Sequence, residues 1–448
     1  MTHAPLSSLT ATVASLTAVR EIGRVTAVEG MQIHARGLRG RAHVGDLVTL
    51  QRSDGSRLSG EILQLRGDDV SFLPDGSIDG VAIEDPVFLG GPPTIYPSPQ
   101  WIGRILDASG QPLDGAPIGR GVHAVPLKAP PPPAHKRRPL GPRMETGVPV
   151  FNTMLPIVKG QRIGLFAGSG VGKSSLLGRL AKNMTADVVV IALVGERGRE
   201  LRDFVEDVLG HEGLKRSVVI AATSDQSPIQ RRRCLWAAMA TAEYFRDLGN
   251  HVLFLADSVT RFAEAHREVA VAGGELPSLR GYPPSTAHLI MSLCERAGPG
   301  TAEQGDITAV LSVLVAGSDM DEPIADILRG VLDGHVVLDR HIAERGRFPA
   351  VDLLRSVSRS LPNAASHTEN QTIREIRRLL GAYEQSETMV RAGLYSEGSD
   401  PYLDAAISAW PQLDAFLGDS TTLPTKTCFS KLDLILRRSG ATNAAPAI

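Results

Sequence analysis

The chain has 448 residues, enough for about two to four domains of ordinary size. Its hydrophobic share of 42% and charged share of 21% exclude a disordered or fibrous chain, and 47 basic against 49 acidic residues, a net charge of −2, exclude bulk-charge coating of nucleic acid. Three cysteines make no disulfide framework and fit a reducing compartment. The start, Met1 to Pro5, lacks a signal-peptide pattern, and no run reaches the ~18 apolar residues of a membrane span, so a soluble cytoplasmic protein is expected.

Residues 1–20 carry Leu6, Leu9, Val13, Leu16 and Val19 at helical spacing, with Ser and Thr opposite. Such a helix packs on its own protein or docks a partner. Residues 21–95 break into short apolar stretches (Ile22 to Val28, Val44 to Leu50, Gly60 to Leu65, Val81 to Leu89) separated by turns such as Ser53-Asp54-Gly55. That texture predicts a small antiparallel β-barrel. Its aromatics are Phe72 and Phe88, too few for a nucleic-acid stacking surface, so a structural collar is expected.

Residues 96–360 predict a nucleotide-binding core. Trp101 to Asp107 reads as a strand, and 126–143 as an extended Pro-rich connector whose Lys136-Arg137-Arg138 is a solvated linker charge by default. Near-continuous apolar runs follow at Arg162 to Ala167, Val188 to Val194, Val218 to Ala222, His251 to Ala256, Ile307 to Leu314 and His335 to Leu338, with helical patterns between. They predict an α/β core with a mostly parallel sheet. Residues 361–448 lose the strand signal and predict a helical domain, with one helix through Ile373, Ile376, Leu379, Leu380 and Tyr383 and another after Asp400-Pro401.

The chemistry concentrates after four of these elements. Ala167-Gly168-Ser169-Gly170-Val171-Gly172-Lys173-Ser174 follows a strand and opens a helix, the context of a phosphate-binding loop with Ala in place of the usual first Gly. There glycine backbone N–H groups and the helix N-terminus cradle phosphates, Lys173 reaches the β- and γ-phosphates and Ser174 ligates Mg²⁺. Asp257 ends an apolar strand, where a carboxylate holds Mg²⁺ through water. Glu196, in Val194-Gly195-Glu196-Arg197, is either the carboxylate that polarises attacking water or a surface-turn carboxylate, and Arg197 either touches the γ-phosphate or neutralises a neighbour. Arg359, beyond the core strands and without an acidic neighbour in sequence, is either a finger inserted in trans or a surface arginine.

These residues, with Asp257-Ser258-Val259-Thr260-Arg261-Phe262-Ala263, Arg280-Gly281-Tyr282-Pro283-Pro284-Ser285, Phe348-Pro349-Ala350-Val351-Asp352, Gly103 to Asp107 and Gly398 to Pro401, resemble the rotary-type ATPases of the F- and V-class. The resemblance is closest to the export ATPase of flagellar or injectisome type III secretion, in which Ala at the loop's first position is usual. It implies an N-terminal barrel, an ATPase core, a C-terminal helical domain and a homohexamer hydrolysing ATP with Mg²⁺ between subunits. It implies that Gly168, Ser169, Gly170, Val171, Gly172, Lys173, Ser174 and Ser175 bind nucleotide, that Ser174 and Asp257 hold Mg²⁺, and that Glu196 activates water. It further implies a γ-phosphate contact from Arg197, a finger from Arg359 of the neighbour and adenine stacking on Phe348. The implied partners are a stator-like regulator on the N-terminal helix, a coiled-coil stalk near Ala382 to Leu394, export substrates with their chaperones, and a membrane export gate. An ion-translocating synthase subunit and a Rho-like RNA translocase are the alternatives; the acidic, aromatic-poor barrel disfavours the second, and no nucleic acid is expected.

Overall fold

The computed structural model describes residues 21–315 and 320–441. The expected N-terminal helix lies outside the described residues. Strands β1 (Ile22–Glu29), β2 (Gln32–Arg36), β3 (Leu47–Gln51), β4 (Arg57–Arg66), β5 (Asp69–Pro74) and β6 (Pro86–Gly91) close into an antiparallel barrel in the order β1-β2-β5-β4-β3-β6. Alternation builds it: Val25, Ile33, Ala35, Val48, Leu50, Ile62, Phe72 and Val87 point inward and form its core. Two of the strands, β2 and β5, are additions to the four apolar stretches of the sequence. β2 places only Ile33 and Ala35 inside, too few for an apolar run. Phe72 is fully buried in this core.

The core sheet contains β7 (Ile105–Leu106), β8 (Arg162–Ala167), β9 (Val188–Glu196), β10 (Ser217–Thr223), β11 (Val252–Asp257), β12 (Asp306–Leu314), β13 (Gly334–Leu338) and β14 (Val351–Ser358). Their spatial order is β14-β13-β8-β12-β11-β9-β10-β7, parallel except for β14, which runs antiparallel along β13. One face is covered by α1 (Lys173–Asn183) and by the C-terminal helices; the other by α2 (Pro228–Asp247), α3 (Val259–Ala272), α4 (Ser285–Arg296) and α5 (Pro323–Val331). Burial on both faces explains the continuous apolar runs.

Three expectations are corrected. The Trp101 to Asp107 stretch is not one strand: Gly103 adopts φ 87°, so only Ile105–Leu106 pairs, parallel to β10. The linker cations are not all solvated, since Arg138 reaches Asp306 at 2.6 Å and Arg137 hydrogen-bonds the Pro132 and Glu295 carbonyls, pinning the connector to the core. Arg359 does not lie beyond the core strands; it directly follows β14, a strand hidden in the sequence by its polar alternation.

The chain ends in α6 (His367–Arg391), α7 (Pro401–Leu417) and α8 (Thr425–Arg438). A capping box of Ser366 and Glu369 starts α6, and Asp400 caps α7 with Pro401 at its first position. Tyr383 and Trp410 stack at 4.3 Å to join α6 and α7. The barrel is fastened to the core by a buried ion cluster: Glu61 on β4 meets Arg232 at 2.7 Å and Arg233 at 3.0 Å, both from α2.

Candidate functional site

Strand β8, flanked by β12 and β13, delivers the glycine-rich loop at the carboxyl edge of the sheet. Gly170 and Gly172 adopt φ 78° and 84°, a left-handed region that side-chain-bearing residues avoid. At Gly172 a Cβ would also stand 3.0 Å from the Phe348 ring. α1 begins at Lys173 and is held down by Leu176, Leu177 and Leu180, so its first-turn N–H groups face the loop.

The loop lines a cavity of about 1000 Å³. Gly168, Ser169, Gly170, Gly172, Lys173, Ser174 and Ser175 form one wall; Glu196 at the end of β9, Arg197 and Glu200 in the turn and short helix just after it, and Thr260, Arg261 and Glu264 from α3 complete the lining. The Val171 side chain is buried in the core, so it is its backbone that is available to a phosphate.

The Lys173 ammonium bonds Asp257 Oδ1, and the Ser312 hydroxyl donates to the same oxygen at 2.8 Å. Asp257 is 3% exposed and stands behind Lys173. Burial, then the negative charge of Asp257, then a hydrogen bond with Glu200 push the Glu196 carboxyl up to about 7, against the pull of Lys173. The hydrogen bond from Glu196 holds Glu200 below its usual range. A carboxyl that changes protonation near neutral pH is suited to taking a proton from water. Arg197 is largely exposed and donates to Glu200 at 3.2 Å.

A hydroxyl on the wall (Ser174) and a carboxylate behind it (Asp257) are the hard oxygen donors Mg²⁺ takes when phosphates and water complete its shell. No group of three or more acidic, His or Cys residues that could cage a metal by themselves occurs among the described residues.

Two expected site residues stand apart. Phe348, 48% exposed, packs on the loop at Gly172 but does not line the cavity. Arg359 lies at the opposite edge of the sheet. Its N–H donates to the Asp333 carbonyl, whose own N–H donates to Arg162 at the start of β8. The five steps from Arg162 to Ala167 rise about 16 Å, more than an arginine side chain spans. The Arg359 guanidinium is exposed, donates to the Arg329 carbonyl at 3.1 Å and pairs with no carboxylate among the described residues.

Sequence reasoning missed Glu200, Thr260, Arg261, Glu264 and Ser312 as members of the site. Thr260 and Arg261 stand in a quoted motif without an assigned task. For Ser312 the signal was a hydroxyl inside an apolar strand.

The family described as ATP synthase alpha/beta family, nucleotide-binding domain, matches residues 147–358, and the type III secretion EscN ATPase C-terminal domain matches residues 365–428. The chain is 44% identical to the flagellum-specific ATP synthase of Caulobacter vibrioides over 92% of its own length and 94% of that protein's. Among solved structures, the assembled ATPase EscN of the enteropathogenic E. coli type III secretion system superposes with a TM-score of 0.86 at 33% identity, covering 92% of this chain and 100% of EscN. EscN in complex with its central stalk EscO superposes with 0.84 at 34% identity and the same coverage. The chain belongs to the ATP synthase alpha/beta family, in its branch of flagellar and type III secretion ATPases.

Proposed function

We propose that this ATPase drives type III protein export, in the flagellar line, as a ring of identical subunits that complete one another's sites. The observation that carries the reading is the split across the sheet: the loop, Lys173, Asp257 and Glu196 sit at one edge and Arg359 at the other. An arginine so placed serves the γ-phosphate of a neighbour. One chain with both Glu196 and Arg359 also suits a homohexamer better than a synthase, whose catalytic and non-catalytic subunits alternate.

In this reading the backbone of residues 168–175 and the Lys173 ammonium hold the phosphates. Ser174 and Asp257 hold Mg²⁺, which when bound neutralises phosphate charge. Glu196 orients the attacking water and takes its proton, Arg197 contacts the γ-phosphate and Phe348 stacks on adenine. The assembled EscN structure and its complex with the central stalk EscO support a ring with a stalk partner; in this reading the ring is a hexamer and the stalk a coiled coil near Ala382 to Leu394. Further partners in the same reading are a regulator on residues 1–20, export substrates with chaperones at the helical end, and a membrane export gate above a cytoplasmic ring.

The test is ATP hydrolysis per subunit across a concentration series, with sizing of each sample. Specific activity that climbs as hexamer forms supports the shared site. Full activity in samples that size as monomer would overturn it.

A further inference from the structure

We propose that Ser312 is a positioning residue for the nucleotide site: it holds the Asp257 carboxylate while Lys173 turns to the phosphates. The proposal rests on the ATPase reading of the cavity and adds a residue that the glycine-rich loop and its partners do not include.

Register brings the two side chains together. Ala256 on β11 lies opposite Leu311 on β12, so Asp257 and Ser312 are the next step of the same ladder. Val310, two residues before Ser312, packs in the cluster that contains α1, while Leu311 and Val313 pack on the other face. Ser312 therefore faces the loop helix. It is wholly buried, and its hydroxyl donates to Asp257 Oδ1 at 2.8 Å. A hydroxyl enclosed by an apolar strand is costly unless it is paired, so a residue there for packing alone would be Ala or Val.

Lys173 lines the cavity and Asp257 does not, so the ammonium stands between the carboxylate and anything bound there. Among the described residues, Lys173 and Ser312 are the donors to this carboxylate. Phosphate oxygens compete for the Lys173 ammonium. As it turns to them, Asp257 loses a donor and a counter-charge. The strand backbone of Ser312 is paired to Leu165 of β8, and its neighbour Leu311 to Ala256 of β11, so its hydroxyl stays where it is. It keeps Oδ1 satisfied and the carboxylate plane fixed. Oδ2, which accepts from none of the described side chains, is then presented in one orientation to the metal side of the site.

The test compares Ser312→Ala, Ser312→Thr and Ser312→Val. Thr and Val add the same bulk and differ in the hydroxyl. The readout is binding of N-methylanthraniloyl-ADP in MgCl₂ and in EDTA, with a melting curve for each variant. In Ala and Val the Mg²⁺-dependent gain in affinity should shrink about tenfold, the scale of a lost hydrogen bond to a charged group. Binding in EDTA should change far less, and Thr should restore the gain. An equal gain in Thr and Val would overturn the proposal even if Ala failed to fold. So would a loss of the same size in MgCl₂ and EDTA, which marks Ser312 as packing. Wild-type protein that binds the probe under neither condition would instead remove the ATPase reading, and the proposal with it.

Discussion

Replacing Arg359 by Ala separates a site shared between subunits from one complete within a chain. The geometry sets the magnitude. Ser358 lies opposite Gly334 at the start of β13, and Val351 opposite Leu338 at its end, beside Ala167. Arg359 thus stands level with Arg162, about 16 Å down the sheet from the loop. Among the described residues its exposed guanidinium donates to a carbonyl and to no carboxylate, so its loss should alter stability by less than about 0.5 kcal/mol. Nucleotide affinity should be near wild type, whereas kcat should fall by about 10³ to 10⁵, the usual contribution of an arginine finger. The decisive assay mixes Arg359→Ala with Lys173→Ala, each inactive alone. A random ring of the two pairs an intact loop with a neighbour's intact arginine at about a quarter of its sites, so turnover should reappear up to about that fraction. Wild-type turnover by Arg359→Ala, or a mixture as inactive as its parts, would refute the reasoning.

Glu196→Gln should bind nucleotide, lose hydrolysis and melt higher than wild type near pH 8. The sign follows from the raised carboxyl: its cost to the fold is absent below about pH 4.5, grows as pH rises and is complete above about 7, so the gain in melting temperature should vanish near pH 4.5; an equal gain at both pH values refutes it. The same group should give the wild-type kcat/KM an acid limb near pH 7; a profile flat through that range refutes the role as base. Phe348→Ala should weaken ATP binding more than Phe348→Tyr, which keeps the ring face; equal losses would remove the stacking role. Glu61→Ala leaves Arg232 and Arg233 buried without their shared carboxylate and should cost about 3–5 kcal/mol in denaturant unfolding.

Which features were readable depends on how far apart in sequence their physical causes lie. The loop from Gly168 to Ser175 was legible because every requirement is local: a strand before it, glycines at the left-handed positions and a helix after it. α7 was legible for the same reason, from Asp400 and Pro401. β2 and β14 were not, because an edge or barrel strand needs only every second residue apolar. Four to eight residues of such a pattern do not stand out against a loop. The loss of β14 also misplaced Arg359. Without a strand running back down the sheet, nothing in the sequence says that this arginine ends at the edge away from its own loop.

The electrostatics of the site were illegible for a deeper reason. The Glu196 carboxyl is raised by burial and by Asp257, which the β9–β11 pairing brings near from sixty-one positions downstream. Ser312 meets Asp257 across a further strand pairing. Motif reading identifies groups that act on the nucleotide, because nucleotide chemistry constrains their type and spacing. It does not identify groups that act on those groups, because a parallel sheet lets any strand supply them. Ser312 belongs to that second set, and it touches a residue the motif names. The same logic extends to the ring: if Arg359 serves the neighbour, the motif of one chain describes half of a site, and the sheet edge on which each half lies is what divides them.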